Sequence, residues 1–492
     1  MSFDLPKGWT SQSIENAMEA IIDYRGKTPK KSDSGIPLIT AKIVKSGRLE
    51  TPTEFIPEED YDAWMVRGLP QAGDVVLTTE APLGEVAQLD DANVALAQRI
   101  VTLRGKPDLL VNDYLKYLLQ SHAVQQQLDA RGSGSTVKGI KQSELRKVVL
   151  SLPPIVQQRS IAGILKSLDD KITLNTQTNQ TLEQMAQALF KSWFVDFDPV
   201  IDNALDSGFF EREFAGEGIP EPLAKRVAIR QALREAAGAD TDASAIGRLP
   251  PETRALFPDR FEKHPDLGWI PEGWEVLTAD SVADVTIGKT PPRKESQWFS
   301  DTPSQNVTWV SIKDMGNAGP FVLDSSEYLV PDAVDKFNIK TVPAGSVLLS
   351  FKLTLGRVCM VKSTLTTNEA IAHFSNYRKG LNRDFIYCYL KQFNYEMLGS
   401  TSSIATAVNS KIIKAMSVLV PSGRASQMFS ELVAPWFDMV LSRSEENREL
   451  TNLRDTLLPK LLSGELTLAE EGPERDLVDE DLAPTKTKKV QV

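Results

Sequence analysis

Along residues 155–194, IVQQRSIAGILKSLDDKITLNTQTNQTLEQMAQALFKSWF, one row of positions recurs in steps that alternate between four and three. Ile161, Leu165, Leu168, Ile172, Asn175, Asn179, Leu182, Ala186, Leu189 and Trp193 trace it. This is the 3.5-residue repeat of a coiled-coil seam. With no proline and a single glycine, Gly163, the stretch predicts one long helix. Adding 268 to each number gives Phe429, Val433, Trp436, Val440, Arg443, Asn447, Leu450, Arg454, Leu457 and Leu461, a second seam that is again polar in its middle. Neither helix can bury its own apolar row, so the two are expected to pack on each other or on partner helices. Pro435 falls inside the second seam and predicts a kink or a late start. Arg443 and Arg454 stand where the first seam has Asn175 and Ala186, and are expected to face a partner or solvent.

Before the first helix, the runs GDVVLTTEAPLGEVAQL and NVALAQRIVTLRG are β-branched, alternate in polarity and are bounded by turn residues. They predict strands. Residues 113–128, DYLKYLLQSHAVQQQL, carry helical spacing. From 270 the chain starts again. IPEGW answers LPKGW, GKTP at 288–291 answers GKTP at 26–29, and residues 344–361 answer 72–89 at an offset of 272. The chain therefore reads as a tandem duplication of a globular domain followed by a long helix. Six segments follow: globular domains at 1–150 and 269–420, long helices within 151–198 and 421–466, a linker at 199–268 with one short helix over 223–238, and a charged tail at 467–492 expected to be disordered. The linker is turn-rich and is expected to have no core of its own. The fold class is α+β. Two mixed α/β domains form a pseudo-two-fold tandem repeat, joined by two long helices packed as an antiparallel coiled coil.

The chain has 492 residues, of which 41% are hydrophobic and 25% charged, enough for several domains. No apolar run approaches the roughly 20 residues that span a bilayer, so no membrane role is expected. Two cysteines, Cys359 and Cys388, make no disulfide framework, which suits a reducing cytoplasm. His122, His264 and His373 have no ligand-like spacing, so no metal is expected. The net charge of −11 argues against nucleic acid as a whole-chain sum, yet the tail from Glu470 to Asp481 alone holds seven acids and one arginine. A local basic face survives that sum.

Each GKT loop fails as a phosphate-cradling nucleotide loop. The glycine needed five residues earlier is Ile21 in one copy and Ala283 in the other. The loops still set Lys27 and Thr28, with Lys30 and Lys31 behind, and Lys289 and Thr290, with Arg293 and Lys294 behind. Lysine and threonine on a loop suit phosphates or base edges. With Lys42, Lys138 and Lys313 they form the candidate DNA-binding set. No nuclease, methyltransferase or nucleophile–histidine constellation is present, which favours a recognition or scaffold protein. An antiparallel helix pair would hold two readers apart: residues 161–193 span about 50 Å at about 1.5 Å per residue. Successive major-groove faces recur every ~34–36 Å. The copies differ most in long loops such as KKSDSG against PRKESQWFSDTPSQN, as readers of two different half-sites would.

LPPIVQQRSIAGILKSLDDKI, NQTLEQMAQALFKSWFVDFDPV, ALFPDRFEKHPDLGWIPEGW and ENRELTNLRDTLLPKLLSGEL together resemble the conserved regions of the specificity subunit of type I restriction-modification systems. The resemblance covers nearly the whole chain. It implies a non-catalytic subunit whose two target-recognition domains each read half of a split double-stranded DNA site. The helices would set the gap and dock two methylation subunits and two restriction/translocase subunits. S-adenosylmethionine, ATP and Mg would act in those partners, with no cofactor in this chain. The packing and docking candidates are Leu165, Leu168, Ile172, Asn179, Leu182, Leu189, Trp193, Val433, Val440, Asn447, Leu450, Leu457 and Leu461, with Asn179 and Asn447 expected to set register. The alternative is a protein-interaction scaffold with no DNA-reading role.

Overall fold

The computed structural model describes residues 5–24, 26, 28–134, 137–221, 223–237, 248–398 and 408–468. Most of the acidic tail, and Lys27 of the first GKTP loop, lie outside the described residues. The chain divides into two compact units: Met1–Lys171 with Leu450–Val492, and Ile172–Glu449. Two long helices, α1 (Ile155–Phe194) and α2 (Gly423–Ser463), each contribute one stretch to each unit.

The first unit is built on an antiparallel sheet in the order Met18–Asp23, Ile100–Gly105, Val75–Thr79, Leu83–Gln88. The central strand is apolar on both faces because two clusters use it. Val75 and Leu77 pack towards the helices, while Val76 packs with Leu38, Ile39 and Ile56 on the other side. A three-stranded sheet holds that second cluster, with Ile36–Ile39 antiparallel to Phe55–Ile56 and parallel to Ala95–Leu96. Strand Thr10–Ser13 pairs with Val149–Leu152 and leads the chain into α1. Residues 113–128 do not form one helix. Ser121 breaks the run into Asn112–Gln120 and His122–Arg131, and its hydroxyl accepts from the Val124 N–H at 3.4 Å. A serine at that point caps a new helix in preference to continuing the old one.

The second unit repeats this plan. Asp284–Ile287, Ile371–Ser375, Val347–Ser350, Val358–Val361 and Phe321–Val322 form its main sheet in that order. Glu275–Thr278 pairs with Ser417–Val420, and Val307–Val310 runs parallel to Thr366–Thr367. Its core draws on α1 and α2 through Phe190, Trp193, Phe194, Phe429, Val433 and Phe437, and the Phe190 and Phe429 rings meet edge to face at 5.6 Å.

Stretch 199–268 is not a bare connection. Asp198–Ser207, Phe209–Glu213, Leu223–Ala237 and Pro251–Arg254 are helical, and Phe261–His264 pairs with Gly268–Pro271. Val200, Ile201, Phe209, Phe210, Leu223, Val227, Phe257 and Phe261 belong to the core of the second unit. Helix Leu223–Ala237 also supplies Arg230, whose Nε donates to buried Asp202 at 3.1 Å, and Arg234, which donates to the Asp202 carbonyl at 2.7 Å. The expectation of a coreless linker fails because its apolar residues, scattered among turns, pack on one another, as Phe209 does on Phe261, and on α1, as Phe257 does on Trp193.

Within the second unit the long helices run antiparallel. Asn175 meets Asn447, Asn179 meets Ser444, and Phe190 meets Phe429, so numbers rise on α1 as they fall on α2. Asn175 Nδ2 donates to Asn447 Oδ1 at 2.9 Å and to Glu446 at 2.7 Å. Asn179 Nδ2 donates to Ser444 Oγ at 3.1 Å and to the Val440 carbonyl at 3.3 Å. The register therefore rests on Asn175 and Asn447 as direct partners, with Asn179 one turn away. Deep positions drift off the strict 3.5 repeat. Phe190 and Phe437 are buried, while Leu189 and Trp436 are only partly covered. A straight helix turns about 20° per heptad against a 3.5 repeat.

Pro435 does not delay α2, which starts at Gly423. The ring is on an exposed position, and Val433, Phe437 and Val440 anchor the turns around it. Arg454 is tied within the first unit. Its Nη1 donates to Asp169 at 2.9 Å, and Asp169 also accepts from Tyr117 at 2.8 Å and pairs with Lys116 at 3.2 Å. Burial works to raise the Asp169 carboxyl. The Lys116 ammonium, the Arg454 guanidinium and the Tyr117 hydroxyl outweigh it and hold the group below the usual carboxylate range.

Candidate nucleic-acid interface

Both GKTP loops leave the edge strand of a main sheet, after Asp23 in one unit and after Ile287 in the other. Neither opens a helix at its threonine, consistent with failed nucleotide-loop motifs. Each threonine is instead clipped to a polar side chain two residues before the next sheet strand. Gln98 Nε2 donates to Thr28 Oγ1 at 2.9 Å, ahead of the strand from Ile100. The Thr290 hydroxyl donates to the Glu369 carboxylate, ahead of the strand from Ile371. The repeat thus preserves the clip and changes its chemistry, from a neutral amide to an acid.

In the first unit the clip borders a polar cleft of about 430 Å³. Gly26, Gln98 and Arg99 line one part, Thr79 and Glu80 another, and Ser133, Val137, Gly139, Ile140 and Lys141 the rest. Arg99 sits in left-handed backbone at φ 71° and is exposed. Thr79 ties the walls together, donating its N–H to the Arg99 carbonyl at 2.8 Å and accepting from the Ile140 N–H at 2.9 Å.

The structure gathers only some candidate residues here. Thr28 lies on the clip, and Lys138 lies on the cleft loop, paired with Asp129 at 2.8 Å. Lys31 and Lys42 gather instead around Glu54, at 2.8 and 3.5 Å. The hydrogen bond from Lys31 is the main cause of the lowered Glu54 pKa. Lys30 is exposed with no ion pair among the described residues. Gln98, Arg99 and Lys141 escape a reading built on the GKT motif. Aligning the two copies residue by residue around Ile100 and Ile371 would have found the first two, because it sets Gln98-Arg99 against Glu369-Ala370.

The second unit braces its cations more tightly. Lys289 donates its backbone N–H to the Thr367 carbonyl at 2.9 Å and its ammonium to the Phe337 carbonyl at 2.6 Å. Arg293 makes two bonds to Glu327, at 2.7 and 3.0 Å, with its guanidinium 4.5 Å from the ring centres of both Phe299 and Trp309. A fork already engaged this way presents an arginine-aromatic platform more than a free base reader. Lys294 and Lys313 are exposed with no ion pair among the described residues. Beneath the loop lies His373, 1% exposed, between Thr286 Oγ1 at 3.0 Å and Thr367 Oγ1 at 2.7 Å. Burial alone pushes its pKa down to about 4.

The family model described as "Type I restriction modification DNA specificity domain" matches twice, over residues 6–184 and 271–428. The chain belongs to that family. The two matches fall on the two copies of the sheet, its clipped GKTP loop and the start of the long helix that follows. Among curated relatives, the chain is similar to the HindI specificity subunit of Haemophilus influenzae, with 28% identity over 392 residues, 76% of this chain and 82% of the relative. It is also similar to the MjaIX specificity subunit of Methanocaldococcus jannaschii, with 25% identity and 95% of both chains covered. The crystal structure of a type I restriction-modification S subunit from M. genitalium matches 94% of this chain and 97% of its own length at a TM-score of 0.50 and 14% identity, a likeness of fold. Among the described residues no group of acidic, histidine or cysteine side chains could hold a metal ion, and no helix is long and apolar enough to cross a membrane.

Proposed function

We propose that this chain is the non-catalytic, DNA-reading subunit of a cytoplasmic type I restriction-modification complex, each domain reading one half of a bipartite duplex site. The observation that carries the reading is the double match to a DNA specificity domain in one chain. It is supported by the clip that both copies share and by the loops in which they differ. In this reading α1 and α2 set the distance between half-sites. Two methylation subunits, acting with S-adenosylmethionine, and two restriction subunits, acting with ATP and Mg, supply the chemistry.

The predicted packing and docking set divides under this reading. Leu165, Ile172, Asn179, Trp193, Val433, Val440 and Leu461 are buried within the chain, and Leu168, Leu182, Leu189, Asn447, Leu450 and Leu457 are partly covered. These residues serve intrachain packing. The outward apolar residues are Val156, Leu174 and Met185 on α1 and Leu432, Met439 and Leu453 on α2. A partner helix has those to meet.

The test is to express the chain with its methylation partners and map methylated adenines. A split motif with a constant gap is expected, and duplex affinity should fall steeply with salt, roughly a thousandfold or more between 50 and 200 mM for six or more phosphate contacts. Assembly with the partners but no sequence preference would leave the scaffold reading, which the net charge of −11 favours.

A further inference from the structure

Both domains carry a second repeated loop beside the clip. It joins Val75–Thr79 to Leu83–Gln88 in one copy and Val347–Ser350 to Val358–Val361 in the other. A buried hydroxyl braces each at the same point of the repeat. Thr78 Oγ1 accepts the Glu85 N–H at 2.9 Å, and Ser350 Oγ accepts the Arg357 N–H at 3.0 Å while donating to the Thr354 carbonyl at 2.6 Å. Each tip residue is in left-handed backbone, Ala81 at φ 53° and Leu353 at φ 60°. Such a conformation is strained for a leucine. Phe351 and Leu355 on either side turn inward to the core, whereas Leu353 is 101% exposed. The loop is joined to the interface. The Phe351 N–H donates to the Ala370 carbonyl at 2.9 Å, next to Glu369, whose carboxylate feels both Lys352 and Arg293.

A rigid loop that holds a large apolar side chain in water, on strained backbone, beside cations and a clipped threonine, is arranged for an apolar feature of an otherwise anionic partner. On the major-groove edges of DNA that feature is the C5-methyl group of thymine. We propose that Leu353 is a specificity-determining residue of the second domain, and that it packs on a thymine methyl in the half-site read there. Ala81, its counterpart, presents a single methyl group and imposes a weaker preference in the other half-site. The inference rests on the DNA-reading function proposed above.

The experiment uses the full chain assembled with its methylation partners. Each thymine of the second half-site is replaced in turn by deoxyuridine, which removes only the methyl group. One replacement should weaken wild-type binding about threefold to tenfold. Leu353→Asn, which suits left-handed backbone and so keeps the loop, should bind the thymine and uracil duplexes equally and relax the methylated motif at that position alone. Met397→Asn, an exposed apolar residue of the same unit, is the control and should change neither. A wild type that methylates no defined motif sinks the DNA-reading function itself. A defined motif with no thymine in that half, or with the same thymine preference in Leu353→Asn, sinks only the assignment of Leu353. Weaker partner assembly in Leu353→Asn, with an unchanged motif from the fraction that still assembles, also sinks it, in favour of a protein contact.

Discussion

His373 gives the second unit a stability that depends on pH in a calculable way. Its surroundings order the protons. The Thr367 hydroxyl can donate to the Asn368 carbonyl at 3.1 Å, which leaves Thr367 Oγ1 to accept from Nε2–H and Nδ1 to accept from the Thr286 hydroxyl. That chain needs a neutral ring, and protonating Nδ1 removes the bond from Thr286. The pKa falls from 6.5 to about 4 on folding, with burial as the cause. The unfolded chain therefore binds a proton that the folded chain refuses between those values, and stability falls as pH drops from about 6.5 to about 4. At about 1.36 kcal/mol per unit the loss totals roughly 3 kcal/mol. Ring-carbon NMR of labelled histidine reads the pKa directly, with only three histidines to assign. Hydrogen exchange of strand Ile371–Ser375, corrected for intrinsic rate, should lose protection about fortyfold between pH 6.5 and 4.5. His373→Gln should flatten that dependence. A His373 resonance that titrates near 6.5, or an equal pH slope in His373→Gln, refutes the reasoning.

Other outcomes follow from single contacts. Asp169→Asn and Arg454→Met, alone and together, should show a coupling of about 1–2 kcal/mol by urea unfolding, because the pair is largely buried and shares Lys116 and Tyr117; additive effects would mean that the contact carries no net energy. Arg230→Met leaves Asp202, 1% exposed, without its main partner, and should cost about 3–5 kcal/mol in unfolding of the second unit. Pro435→Ala should stabilise α2 by about 1–3 kcal/mol, seen as a higher melting temperature, since an exposed interior proline only removes a hydrogen bond there. Asn175→Leu with Asn447→Leu should leave stability equal or higher while the mapped gap between half-sites becomes variable; an unchanged single gap would remove these residues from setting the register.

What could be read from the chain alone follows the range of each signal. The two long helices declare themselves because forty residues of one period leave no other economical burial. The strands around Val75–Thr79 and Val347–Ser350 declare themselves twice, once by alternation and once by repetition at an offset of 272. The packing of 199–268 is silent in the sequence. Phe209, Phe210, Phe257 and Phe261 sit among turns with no shared period, and they join a core that also draws on the end of α1 and on α2, far along the chain. The partner of Asn447 is silent in the sequence for a different reason. The repeat offset of 268 makes Asn447 the equivalent of Asn179, but equivalence is not contact. In an antiparallel pair the touching residues are those whose numbers move in opposite directions, and that brings Asn447 to Asn175.

The same distinction bears on the recognition loops. Where both copies keep a feature, as with the threonine clip and the hydroxyl brace of the hairpin, it holds backbone in place and carries no information about sequence. Information can reside only where the copies differ on a shared frame. Gln98 and Glu369, and Ala81 and Leu353, are such equivalent places: one copy has an amide that both donates and accepts where the other has an acid that only accepts, and a methyl group where the other has an isobutyl group. A scaffold that fixes loop geometry by buried hydroxyls and left-handed tips lets side chains at the rim vary without cost to the sheet beneath. Two such frames in one chain can therefore read two unrelated half-sites while α1 and α2 keep one fold.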